Sequence, residues 1–282
     1  MTPRRRAPSF DWELLLDRLS AFYRTGDWRR PYLRDHAESP FQVLIGTILS
    51  QRTRDAATDI ATARLFARFP DARSLARAPP RDLEPLVRPV GFYRTKSRVI
   101  RACAQELLDR HGGEVPRTFP ELVELPGVGP KTANCVLVFG FGTPAIPVDT
   151  HVHRIANRLG VVRTRTPEAT EERLREVLDP RYWIPLNPLL VQHGQNLCRP
   201  RRPRCGDCPI AELCATGRAV RAGRAPPRPD DDPRRWGGGR ARRPGSRSAR
   251  RPRPPRRARR TGTGPPSRRP PRRALLRPAG SR

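Results

Sequence analysis

Residues 119–140 read FPELVELPGVGPKTANCVLVFG, two helical patterns (119–124 and 130–140) joined by the turn LPGVGP (125–130). Gly127 and Gly129 free that turn from side-chain bulk, so its backbone can come close to a ligand. The second helix opens at a proline, with Lys131 in its first turn. A helix N-terminus disfavours a cation, so the setting is expected to lower the Lys131 pKa.

Working outward, residues 11–23 place Trp12, Leu15, Leu16, Leu19 and Phe22 at helical spacing. FQVLIGTILSQ (41–51) is apolar nearly all round and reads as a buried helix. Ile60, Ala63, Leu65, Phe66 and Phe69 give a helical period over 55–69, and further helical patterns cover 81–89 and 95–111. Thr166-Pro167-Glu168 supplies a cap, a first-turn proline and an early acid for another helix. No alternating strand pattern with hairpin turns occurs, so the expected fold class is all-α with short connections.

Only two lysines, Lys96 and Lys131, stand against 55 arginines. A chain that uses Arg wherever positive charge suffices keeps Lys where a free amine is needed, and nucleophilic attack is such a task. Eighteen residues after Lys131, Asp149 precedes a helical pattern in PVDTHVHRIANRLG (147–160), where it can cap the first turn. His151 and His153 are two apart and share no helix face, which argues against a two-histidine metal site. His151 reads as supporting the site or the fold, His153 as outward-facing. Cys198, Cys205, Cys208 and Cys214 give C-x6-C-x2-C-x5-C, a spacing that by itself suits either a four-thiolate zinc ion or an iron–sulfur cluster. Cys103 and Cys135, in apolar helical surroundings, read as packed core thiols.

LPGVGPKTA, the VDTH segment at its distance from the lysine, and the cysteine spacing together resemble the endonuclease III family of helix-hairpin-helix DNA glycosylases. The resemblance spans about residues 11–216. It implies two helical lobes: a continuous domain over 33–143, and a second built from 1–32 and 144–216 that carries the cluster loop. It implies that Lys131 attacks the sugar C1′ of a damaged nucleotide and that Asp149 balances the developing positive charge and assists proton transfer. It makes the cysteines ligands of one [4Fe-4S] cluster and has Gly127, Gly129, Arg201, Arg202 and Arg204 meet DNA phosphates. It also has side chains from segments like LSQRTRD (49–55) and GFYRTK (91–96) fill the gap left by the flipped nucleotide. The first of these wedges is Gln51 or Arg52, since Arg52 stands where many relatives carry glutamine; the second is Phe92. Lys96 is expected to contact a phosphate or lie at the surface.

The formal net charge of +30 points to a polyanionic partner. From Gly217 to Arg282 there are 23 arginines and three aspartates, and the remaining 34 basic and 24 acidic residues keep the folded part basic as well. That tail, rich in Arg and Pro with a single aromatic, buries too little apolar surface to order itself and is expected to be disordered. No apolar run reaches membrane-spanning length and no signal peptide is recognisable, so a cytoplasmic protein, associated with the nucleoid through DNA, is expected. The expected partner is double-stranded DNA with a damaged base or abasic site, met by a monomer. The expected activity is removal of oxidised pyrimidines with β-elimination at the abasic site. Alternatives are excision of uracil or thymine from mismatches with guanine, and a non-catalytic DNA- or RNA-binding protein. Adenine removal fits poorly, because relatives with that activity carry a carboxylate in the helix before Asp55, and none occurs between Glu38 and Asp55.

Overall fold

The computed structural model describes residues 10–31 and 39–224; the expected disordered tail lies, from residue 225 on, outside the described residues. Twelve α-helices, one π-helical turn and one 3-10 turn, with no strand, make up the described residues. The all-α expectation is met, and the helices divide between two hydrophobic cores.

The first core draws its buried residues from Phe41 to Ala145. Its central helix, α1 (Pro40–Ser50), is capped by the Ser39 side chain, which accepts the Gln42 N–H at 3.2 Å. Phe41, Val43, Leu44, Ile45, Ile48 and Leu49 are all buried, so the apolar surround read from the sequence is matched by packing on every side. Around it lie α2 (Asp55–Arg68), α3 (Ala72–Arg77), α4 (Pro80–Val87), α5 (Tyr93–His111), α6 (Phe119–Glu124) and α7 (Pro130–Cys135). The last runs directly into a π-helical turn, Val136–Gly140, that carries the apolar segment VLVF into the core.

The second core gathers Trp12, Leu15, Leu16, Leu19 and Tyr23 with residues between Ile146 and Ile210. Its helices are α8 (Trp12–Arg24), α9 (Thr150–Leu159), α10 (Pro167–Val177), α11 (Trp183–Asn196) and α12 (Ala215–Arg221). The N-terminal helix α8 closes this core: the Trp12 indole N–H donates to the Val177 carbonyl at 3.2 Å, across 165 residues of sequence. Thr166 caps α10 by accepting from Ala169, with Pro167 first in the helix, as its sequence predicts.

Helix α12 corrects the expected start of the tail at Gly217. Thr216 and Gly217 are buried, and a Cβ on Gly217 would stand 2.4 Å from the Ala211 carbonyl oxygen. Thr216, Gly217 and Val220 are weak helix formers within ATGRAVR, and packing on α9 supports the helix.

Between the cores the chain crosses at residues 144–149. Asn187 on α11 donates to the Pro147 carbonyl at 2.7 Å, and Asn134 on α7 donates to the Ile146 carbonyl at 3.4 Å. The crossing segment is thereby tied to both cores, which fixes Asp149 beside the start of α7.

Candidate active site and cluster loop

Lys131 is half-buried in the first turn of α7, and its amine hydrogen-bonds the Cys135 thiol one turn further on. Asp149 and Asp55 both act on it electrostatically, so residues 18 and 76 positions away in sequence converge on this amine. Burial works to lower the Lys131 pKa, but Cys135, Asp149 and Asp55 outweigh it and hold the ammonium above its ordinary value. The expected lowering by the helix terminus is therefore corrected: neighbouring groups keep the resting amine protonated.

Asp149 caps α9. Its Oδ1 accepts the backbone N–H groups of His151 and Val152, both at 2.8 Å, which fixes the carboxylate while Oδ2 makes no hydrogen bond among the described residues. His151 is pushed below its ordinary pKa by burial, and its Nδ1 accepts from Arg154 Nη2 at 3.1 Å. That guanidinium also donates to the Cys198 carbonyl at 2.9 Å. His153 does not face outward as expected: its Nδ1 lies 2.6 Å from Thr170 Oγ1 on α10.

The two hairpin glycines differ. Gly127 has φ +81°, and a Cβ there would sit 2.4 Å from Val99 Cγ1, so the turn admits only glycine against α5. Gly129 has an ordinary φ of −99° and nothing within 4 Å of a built Cβ, so its freedom from bulk faces open space. Gln51 donates to the Gly127 carbonyl at 3.0 Å and to Thr132 Oγ1 at 3.3 Å, which ties it to the hairpin. Arg52 is exposed beside it with φ +52°, and Phe92 is 67% exposed with φ +58°. These two are the only left-handed non-glycine residues among those described.

Lys96 is neither a surface charge nor a phosphate contact. It is 7% exposed, and its amine donates to the Leu49 carbonyl (2.7 Å), the Gln51 carbonyl (2.5 Å) and Thr53 Oγ1 (2.8 Å). Burial lowers its pKa to about 8.

Cys198, Cys205, Cys208 and Cys214 line one pocket with Arg158 and His193. Four cysteines around a common pocket supply the four thiolates that an iron–sulfur cluster takes. Burial raises the thiol pKa of Cys208 to about 12 and of Cys214 to about 11, a cost that bonding to iron removes. Two polar groups face the sulfurs. Arg158, almost fully buried, donates to Cys198 Sγ (3.3 Å) and to the Arg199 (2.8 Å) and Pro200 (2.6 Å) carbonyls. His193 Nε2 lies 3.5 Å from Cys208 Sγ while its Nδ1 meets the Tyr23 hydroxyl at 2.8 Å. Arg201 and Arg202 are exposed, whereas Arg204 is paired with Asp207 at 2.7 Å.

Asp55, Gln195 and Cys135 belong to this site and were not singled out for it by their sequence. Asp55 looks like an ordinary first-turn acid of α2, yet Gln195 on α11 donates to its Oδ2 at 2.7 Å, joining the two cores beside Lys131. The available signal for Cys135 was its i,i+4 spacing from Lys131 on one helix.

Residues 45–180 match the model for HhH-GPD superfamily base excision DNA repair proteins, and residues 198–214 match that for the iron-sulfur binding domain of endonuclease III. Endonuclease III of Thermotoga maritima is 48% identical over 182 residues, 64% of this chain and 85% of that protein. The solved structure of a non-covalent endonuclease III–DNA complex superposes with a TM-score of 0.66 at 34% identity, covering 74% of this chain and 96% of that one. A thermostable thymine-DNA glycosylase shares the fold, with a TM-score of 0.64 at 23% identity over 72% of this chain and 94% of its own. With the hairpin, the lysine–aspartate pair and the cysteine loop each in place, the chain belongs to the endonuclease III family of base excision DNA repair proteins.

Proposed function

We propose that this protein excises oxidised pyrimidines from duplex DNA and cleaves the resulting abasic site, with Lys131 as nucleophile and Asp149 as its acid–base partner. The observation that carries the reading is the convergence of Asp149 on the Lys131 amine from the other core. Lys131 passes its proton to Asp149, and the free amine attacks C1′ of the flipped nucleotide. The C1′–N bond breaks with its electron pair leaving on the base, which takes up a proton. Asp149, returned to its carboxylate by passing that proton to the departing base, balances the positive charge that develops on the sugar. Opening of the sugar ring gives a protonated imine between Nζ and C1′. That imine acidifies the C2′ hydrogen, and its loss expels the 3′ phosphate by breaking the C3′–O bond. Water then releases the enzyme.

Arg52 and Phe92 fill the gap left in the duplex. Both are exposed, and the strain of their left-handed backbones is the kind that functional loops retain. The two bonds of the Gln51 amide to the hairpin favour Arg52 over it as the first wedge. The open face at Gly129 receives a phosphate, and Arg201 and Arg202 add cationic contacts. Cys198, Cys205, Cys208 and Cys214 hold one [4Fe-4S] cluster, which supplies iron–thiolate bonds that fix the loop from residue 198 to 214.

Single-turnover kinetics on duplexes containing thymine glycol, uracil opposite guanine, or an abasic site test this function. Lys131→Gln is expected to abolish strand cleavage on all three, and Asp149→Asn to bind thymine glycol duplex normally while turning over at least about a hundredfold more slowly. Preference for uracil over thymine glycol, or full activity of Asp149→Asn, would contradict the assignment.

A further inference from the structure

The second of the two lysines has no part in the chemistry above. Its ammonium is buried and spends all three N–H bonds on protein oxygens: the Leu49 and Gln51 carbonyls and Thr53 Oγ1. No donor remains for DNA. Those oxygens bracket Arg52 on both sides in sequence. Thr53 Oγ1 in turn accepts the Gly91 N–H at 3.2 Å and donates to the Gln51 carbonyl at 3.3 Å, which uses the hydroxyl fully. Gly91 precedes Phe92, and a Cβ on it would stand 3.4 Å from the Arg52 carbonyl oxygen, so the two loop backbones lie against each other. One ammonium and one hydroxyl thus join the loop carrying Arg52 to the loop carrying Phe92, and these hold the two left-handed non-glycine residues.

We propose that Lys96 is a positioning residue for nucleotide flipping: its ammonium locks the two wedge loops together so that Arg52 and Phe92 enter the duplex as one rigid unit. The inference rests on the reading of Arg52 and Phe92 as gap-fillers. It accounts for the retention of lysine here in a chain with 55 arginines. A compact ammonium directs three N–H bonds tetrahedrally at three close oxygens, whereas guanidinium is planar, larger and carries five donors. An arginine at this position overfills the site and leaves donors unmatched.

The test compares excision from a thymine glycol duplex, which requires a gap to be filled, with borohydride trapping on a single-stranded abasic oligonucleotide, which does not. Lys96→Met and Lys96→Arg are expected to lower the duplex rate at least about tenfold while single-strand trapping stays within about threefold of the parent. Thr53→Val, which keeps the buried amine, gives the same pattern with a smaller loss. An Arg52→Ala/Phe92→Ala double variant reports on the wedge reading itself and is expected to lower the same ratio. If the double variant lowers the ratio but the Lys96 and Thr53 variants do not, the positioning role is wrong and the wedges stand. If the double variant leaves the ratio unchanged, the wedge reading fails first. Rescue of duplex activity by Lys96→Arg shows that a simple charge suffices, and equal losses on both substrates show a general folding role; either overturns the proposal.

Discussion

The two glycines of the hairpin look alike in sequence, and the structure assigns them opposite sensitivities to a single added methyl. At Gly127 an alanine meets two penalties. The left-handed backbone at φ +81° costs an L residue about 1–2 kcal/mol. The added Cβ, 2.4 Å from Val99 Cγ1 with Ile48 Cγ2 behind it at 3.6 Å, forces overpacking worth about 1–3 kcal/mol more. Gly127→Ala is therefore expected to lose about 2–5 kcal/mol of stability, which for an ordered region of this size lowers Tm by about 4–20 °C. At Gly129 the backbone is ordinary and the space outside it empty, so alanine restricts only the unfolded chain and gains about 0.4–1 kcal/mol. Its methyl instead occupies the surface proposed to receive a phosphate. Denaturant titration and fluorescence anisotropy on a duplex with a stable abasic analogue separate the two effects. Gly127→Ala loses stability, and Gly129→Ala keeps or gains it while binding DNA at least about tenfold more weakly. A stable Gly127→Ala, or a Gly129→Ala that binds like the parent, would contradict these roles for the two glycines.

Other expectations follow from particular contacts. Asp55→Asn removes a carboxylate that holds the Lys131 pKa up, so the acidic limb of the imine-formation profile is expected to move to lower pH; an unchanged limb means the carboxylate does not act on the amine. Arg158→Met leaves the Cys198 sulfur and the Arg199 and Pro200 carbonyls without their donor, and is expected to lower the iron content of purified protein; full iron occupancy would show that the guanidinium is dispensable to the loop. Lys96 titrates near pH 8 folded, by burial, against about 10.4 unfolded. Between those values the unfolded chain binds the extra proton, so the contribution of this group to stability rises with pH there, after a full burial penalty below about pH 8. The stability of the parent relative to Lys96→Met should therefore improve from pH 8 to pH 10, and a flat or falling difference contradicts the burial of the charge.

Much of the site was legible because its chemistry is concentrated in short segments. The turn before Lys131, the capping aspartate at 149 and the cysteine spacing each combine a residue type with a local geometry that sequence can express. What escaped the sequence depends on partners far along the chain. GFYRTKSR (91–98) is polar and arginine-flanked, and nothing in it says that three oxygens 43 to 47 residues away will enclose Lys96. The choice between Gln51 and Arg52 turns on contacts with Gly127 and Thr132, 76 and 81 residues distant. Helix α11 hid behind Pro185 and Pro188, and α12 behind its glycine and arginines; both are stabilised by packing that no local pattern announces.

The chain has only two lysine amines, and the proposed chemistry bonds one of them, that of Lys131, to the sugar. Borohydride reduction during reaction with a thymine glycol duplex, then proteolysis and mass spectrometry of the crosslinked peptide, reads the attachment point directly. The sugar remnant is expected on Lys131, with none on Lys96. A remnant on Lys96 or on the N-terminal amine, or a crosslink that survives Lys131→Gln, would contradict that chemistry.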